Sequence, residues 1–123
     1  MKLHLARAAG ANLFSGYGEG YVAVNGVRHE RSIVVLPDRV IADWAPASLD
    51  ALEAAHLAPL VTLGIEILLL GTGARLRFPR PEVIRPLTDA RIGFEAMDAH
   101  AAARTYNILT AEGRRVAAAL LLP

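Results

Sequence analysis

The apolar positions of this chain change their period along its length. From Gly16 to Trp44 they fall among glycines and β-branched residues, and in GYVAVNGVRHERSIVVLPDRVIADW the segments YVAV and VRHERSIVVLP flank Asn25-Gly26. That dipeptide predicts a hairpin with a two-residue type I′ turn. The Pro37-Asp38 turn introduces VIADW as a further short strand. At Ser48 the spacing lengthens: Ser48 stands at a helix N-cap position, and Leu49, Leu52, Glu53, Ala55 and His56 follow at helical intervals until Pro59. IEILLL is an almost continuous apolar run closed by Gly71-Thr72-Gly73, the pattern of a mid-sheet strand covered on both faces. Pro81 suits the first turn of a helix whose stripe is Val83, Ile84, Leu87 and Ala90, and Ile92-Gly93-Phe94 follows as a strand. Asp98 then caps the helix that begins AHAAARTYNILTAE, Gly113 stops it, and RRVAAALLL resumes as a buried strand.

Alternating strands and helices imply one α/β domain over residues 1–123. The expected architecture is a three-layer α/β/α sandwich on a mixed, largely parallel sheet, with a β-hairpin extension before it. No internal repeat, low-complexity tract or linker divides the chain.

Composition narrows the function classes. A chain of 123 residues buries enough surface to fold without a staple, and the absence of cysteine removes disulfides, thiolate ligands and a thiol nucleophile. Thirteen basic and twelve acidic side chains leave a formal charge of +1, which provides no field for nucleic acid. The opening MKLHLARAAG has no continuous apolar run after its basic residues and reads as neither a signal peptide nor a presequence. LAPLVTLGIEILLLGTG is interrupted by Pro59, Gly64 and Glu66 and falls short of the roughly twenty residues of a spanning helix. A soluble protein is expected.

The helix from His100 to Glu112 carries Arg104, Tyr106 and Asn107 amid alanines. Helical geometry puts Ala102, Tyr106 and Leu109 on one face, with Ala101, Thr105 and Ile108 beside them, so Tyr106 is expected at the core edge. Arg104 and Asn107 flank that stripe, within reach of a backbone carbonyl or of a carboxylate such as Glu66 or Glu95. A hydrogen-bonded brace between helix and sheet outweighs a ligand site here, because buried polar groups find partners.

Three further features are candidates for binding. Gly71, Thr72 and Gly73 follow a strand's carboxyl end, where open α/β sheets place ligand crevices, yet they lack the lysine and glycine pattern of a phosphate loop. A tight turn is the plainer reading. Arg75, Arg77, Arg80 and Arg85 make RLRFPRPEVIR the one locally basic segment, with Phe78 as an apolar anchor for an acidic partner; the plainer reading is a solvated loop. The histidines at 4, 29, 56 and 100 show no metal-ligand spacing, and neither a metal, a cofactor nor a catalytic residue is assigned. His100 and Arg104, one helical turn apart with Glu95 nearby, read as surface groups near a helix start rather than an acid/base pair.

Three segments together, EILLLGTG from Glu66, FPRPEV from Phe78 and GFEAMDAHAAARTYNILTAEGRRVAAALL from Gly93, give the chain a resemblance to the Mth938-like domain family of unknown function, DUF498. That family includes a mitochondrial NADH dehydrogenase (complex I) assembly factor and uncharacterised bacterial proteins. The resemblance implies a sandwich with a hammerhead-like β extension, a bacterial, cytoplasmic member, no established active site, and a link to the biogenesis of membrane protein complexes. The leading expectation is therefore a non-enzymatic binding or accessory domain that engages a protein partner through GTGARLRFPRP and the R-T-Y-N helix. Two alternatives stand beside it: a small anionic-ligand-binding or enzymatic domain using the crevice after Gly71, with Arg75 or Arg104 as counter-charge, and a homodimer formed through an edge strand.

Overall fold

The computed structural model describes residues 10–122. The opening segment read above for targeting signals, and His4 with it, lie outside these residues. Strands β1 (Phe14–Gly18), β2 (Tyr21–Val24) and β3 (Val27–His29) form a three-stranded antiparallel sheet. Asn25 and Gly26 join β2 to β3 with φ of 51° and 84°, the two left-handed residues that a type I′ turn requires. The second sheet has the order β5 (Arg39–Ile41), β4 (Ile33–Leu36), β8 (Val116–Leu120), β6 (Ile67–Gly71), β7 (Gly93–Met97). Its β4–β5 and β4–β8 pairs are antiparallel, and its β6–β8 and β6–β7 pairs are parallel. The apolar run at 67–71 lies inside the sheet as expected, and the middle strand is β8.

Alternation along β8 divides the core in two. Val116, Ala118 and Leu120 face helix α3 (Ala99–Ala111) and the small sheet. Ala117, Ala119 and Leu121 face the layer built from α1 (Ala54–Leu57), α2 (Pro81–Asp89) and the neighbouring 3₁₀ turns. Ala118 of β8 shares its cluster with Ala102 and Ala103 of α3, so the helix lies close to the sheet with little side chain between them. This is the expected three-layer arrangement on a mixed sheet, but the sheet is antiparallel on the β4 side of β8 rather than largely parallel, because β4 runs against both β8 and β5, and the extension is enlarged from a hairpin to three strands.

The extra strand is β1, in the glycine-rich stretch before the hairpin. Its register slips between Phe14 and Gly16, a bulge that turns both Phe14 and Tyr17 into the core although they are three residues apart. The strand expected at VIADW is shorter, since β5 ends at Ile41 and Asp43 turns left-handed at φ 53°.

The single helix expected after Ser48 is replaced by a 3₁₀ turn at Leu49–Ala51 and the short α1. Ser48 makes no side-chain cap bond, and α1 is capped instead by Glu53 and His56, the Glu53 N–H donating to His56 Nδ1 at 2.9 Å. The cause is packing. Leu52 and Leu57 are both buried in one cluster, whereas a continuous helix would turn residues five apart away from each other by about 140°. The chain breaks at Leu52, which is extended at φ −73° and ψ 129°.

Helix α3 is capped by Asp98, whose side chain accepts from the Ala101 N–H at 2.9 Å. Its buried face is rotated from the one that spacing suggests: Ala99, Ala102, Ala103, Tyr106, Asn107 and Thr110 are buried, and Ile108 is 51% exposed. The helix packs on two sheets, and the second contact, to β1, draws Asn107 inward.

Candidate interaction site

The residues singled out in the sequence fall into two groups. The first lies where β6 ends. Gly71 is required by proximity, because a Cβ there would sit 2.6 Å from Leu120 Cδ2 and 2.9 Å from the Ala99 Cα. Thr72 holds the loop that follows. Its N–H donates to the Met97 carbonyl at 2.8 Å, and its hydroxyl accepts from the Arg77 N–H at 3.0 Å. The same hydroxyl donates to the Arg75 carbonyl at 2.7 Å, with the Met97 carbonyl 3.1 Å away. Gly73 turns at φ 96°, and its carbonyl accepts from the Ala99 N–H at 2.8 Å. Threonine is therefore the clamp of the loop's neck, with every polar atom of its side chain in use.

Beyond that neck the loop exposes apolar surface. Phe78 is 75% exposed and Leu76 50%. Two of the three nearby arginines are balanced by acids: Arg77 pairs with Asp50 at 2.9 Å, and Arg80 stands 3.9 Å from Glu82. Arg75 has no acidic partner among the described residues. The basic character read from the segment is thus partly neutralised, and the aromatic is its most exposed large hydrophobic side chain. Beside it, a groove of about 370 Å³ runs between Leu49 and Val83, with Phe78 on its wall.

The second group gathers on α3 and β1. Asn107 is buried; its Oδ1 accepts from the Phe14 N–H at 2.9 Å and its Nδ2 donates to the Phe14 carbonyl at 2.8 Å. Tyr106 is fully buried, its ring edge-on to Phe14 at 5.3 Å and its hydroxyl donating to the Asn12 carbonyl at 2.9 Å. Arg104 donates to the Tyr17 hydroxyl at 2.8 Å, and His100 stacks on the Tyr17 ring at 4.3 Å while its Nε2 donates to the Gly18 carbonyl at 2.8 Å. Glu66, named above as a partner for Arg104 or Asn107, pairs with Arg114 instead. The centre of this group, Tyr17, and its neighbours Phe14 and Asn12 are missing from the sequence reading, because the bulge in β1 hides the alternation that marks a strand.

The structure does not bring Thr72, Arg104 and Asn107 to one pocket. A cleft of about 620 Å³ does open next to Gly73 and the start of α3, but its titratable groups are Glu19, Asp98 and His100. Two carboxylates repel an anion, and two of the first three helix amides are occupied, Ala99 N–H by the Gly73 carbonyl and Ala101 N–H by the Asp98 side chain. Thr72, Arg75 and Arg77 line a separate recess of about 190 Å³. Among the described residues no three His, Asp or Glu side chains converge in a metal-binding arrangement, and no helix is long and apolar enough to cross a membrane.

A family model described as a protein of unknown function, DUF498/DUF598, matches residues 14–121, from the start of β1 to just past β8. The chain belongs to this family. A zebrafish protein named NADH dehydrogenase [ubiquinone] 1 alpha subcomplex assembly factor 3 is 34% identical to it over 94% of this chain and 67% of its own length. The cattle protein of the same name is 32% identical over 92% of the chain, which spans 62% of it. A Bordetella parapertussis crystal structure superposes with a TM-score of 0.88 at 44% identity, covering 95% of this chain and all of that one. A Bordetella pertussis solution structure described as an Mth938-like domain gives 0.82 at 39% identity, over 99% and 92% of the two chains.

Proposed function

We propose that this chain is a non-enzymatic accessory domain of the cytoplasm that binds a protein partner during the assembly of a membrane-associated complex. The observation that carries this is the 75% exposure of Phe78 on a loop whose neck Thr72 clamps. A large aromatic held in the open by a braced backbone is the form of an interface anchor, since its ordering cost is met before any partner arrives. Leu76 and the groove beside Phe78 extend the same surface, and Arg75, Arg77 and Arg80 give it a charged rim. Two relatives named as assembly factors support the role. The carboxylates of the cleft beside Gly73 speak against an anionic small molecule there.

The test is quantitative partner capture from cells with the tagged chain and two variants, Phe78→Asp and a triple change of Arg75, Arg77 and Arg80 to glutamate. The expected result is a loss of at least about tenfold in one reproducible partner, equivalent to about 1.4 kcal/mol, with melting temperatures unchanged. Equal recovery by all three proteins would remove the loop from the interface.

A further inference from the structure

Resting on that protein-binding reading, we infer that the outer edge of β7 receives an extended segment of a partner protein carrying a lysine or arginine between two apolar residues. Among the described residues β7 ends the five-stranded sheet and pairs only with β6. The Gly93 N–H donates to the Glu66 carbonyl and the Met97 carbonyl accepts from the Thr72 N–H, so odd-numbered residues turn their backbone groups toward β6. The N–H and C=O groups of Phe94 and Ala96 therefore point outward, and among the described residues no strand meets them. The other edges differ. β3 and β5 are three residues long, and at β1 the Asn107 carboxamide occupies both backbone groups of Phe14.

The length and charge of the edge select its occupant. On one side the Ile92 N–H is already given to the Leu87 carbonyl at 2.9 Å, and on the other the Asp98 carbonyl accepts from the Ala102 N–H at 3.0 Å. Full pairing is thus confined to Phe94 and Ala96. A second copy in antiparallel pairing would set Phe94 against Ala96 and centre the two strands on Glu95 opposite Glu95. Those residues form a non-hydrogen-bonded pair with Cα atoms about 4.5 Å apart, the place where like charges oppose pairing most directly. Glu95 is exposed and makes no ion pair among the described residues. The edge consequently rejects its own copy and favours a foreign strand with a cation opposite Glu95 and apolar residues opposite Phe94 and Ala96.

The experiment tethers the strand Thr-Val-Lys-Val-Thr to the carboxyl terminus of the full chain through a flexible glycine-serine linker, which raises its effective concentration to the millimolar range. Amide hydrogen exchange is read residue by residue by NMR, against the untethered chain and against a Thr-Val-Glu-Val-Thr tether. The lysine strand is expected to slow exchange at Phe94 and Ala96 by at least about tenfold, the glutamate strand to leave it unchanged, and Glu95→Lys to reverse the preference. Equal protection by both strands, or by neither, overturns the inference. So does concentration-dependent protection of the same amides in the untethered chain, which would make a second copy the occupant. Failure of the Phe78 capture experiment bears on the loop and leaves this readout intact.

Discussion

Asn107 closes an edge of β1 as a neighbouring strand would, taking both the N–H and the C=O of Phe14, a residue 93 positions earlier in the chain. A carboxamide has one donor side and one acceptor side, the same complement as a peptide group, and it is buried here with both used. Replacing Asn107 with alanine leaves two buried backbone groups unpaired and is expected to cost on the order of 1–3 kcal/mol. Urea unfolding measures this, and a change within error of zero would show that water restores both bonds.

Thr72→Val keeps the shape of the side chain and removes the hydroxyl that serves Arg75 and Arg77. We expect a loss of about 1–3 kcal/mol, together with faster amide exchange at Arg77. Thr72→Ser should restore most of both. By contrast Arg77→Ala breaks only an exposed pair with Asp50 and should cost less than about 1 kcal/mol. If the arginine change were the more damaging, the loop would be held by charge and not by the threonine clamp.

Gly71→Ala adds one methyl against Leu120 and the backbone of Ala99. Gly71 is not among the glycines with positive φ, so the penalty is steric and not conformational. A loss of about 1–3 kcal/mol in unfolding free energy is expected. Gly71→Ser should be at least as costly. A neutral alanine variant would mean that α3 can slide along the sheet without loss.

Burial holds the Tyr106 phenol well above its ordinary 10.0. The raised value means that folded Tyr106 keeps its proton after the unfolded phenol has lost it. Its contribution is therefore complete below pH 10 and declines as the pH rises beyond that, toward the folded value. Relative to Tyr106→Phe, which does not ionise, the wild-type chain should lose up to about 1.4 kcal/mol per pH unit above 10. Near neutrality the phenylalanine variant forfeits the bond to the Asn12 carbonyl and should be less stable by about 0.5–1.5 kcal/mol. Parallel urea titrations at neutral and alkaline pH test both signs, and a difference that does not narrow above pH 10 would contradict the assignment.

What the sequence discloses depends on how local each signal is. The Asn25-Gly26 turn, the Asp98 cap and the apolar run at β6 are each written within a few residues, and each forms where spacing puts it. The break at Leu52 is not local, because it satisfies one core shared by Leu52, Leu57 and α2. The rotation of α3 that exposes Ile108 is set by β1, a strand whose bulge conceals its own pattern. The brace at Asn107 was legible as a type of contact, and its partner, the Phe14 backbone, was not. In the loop after Gly71 the arginines are plain in the sequence, but that Asp50 and Glu82 offset two of them is a property of the fold alone.

The place of β8 has a consequence for how the molecule is made. β4 and β6 both hydrogen-bond to β8 and not to each other. During synthesis the two halves of the larger sheet are therefore without a common strand until residues 116–120 leave the ribosome. At about 5–20 residues per second, β4 waits on the order of ten seconds for its central neighbour. Over that interval the nascent chain carries unsatisfied strand edges, and neither face of the core is complete until β8 arrives between them.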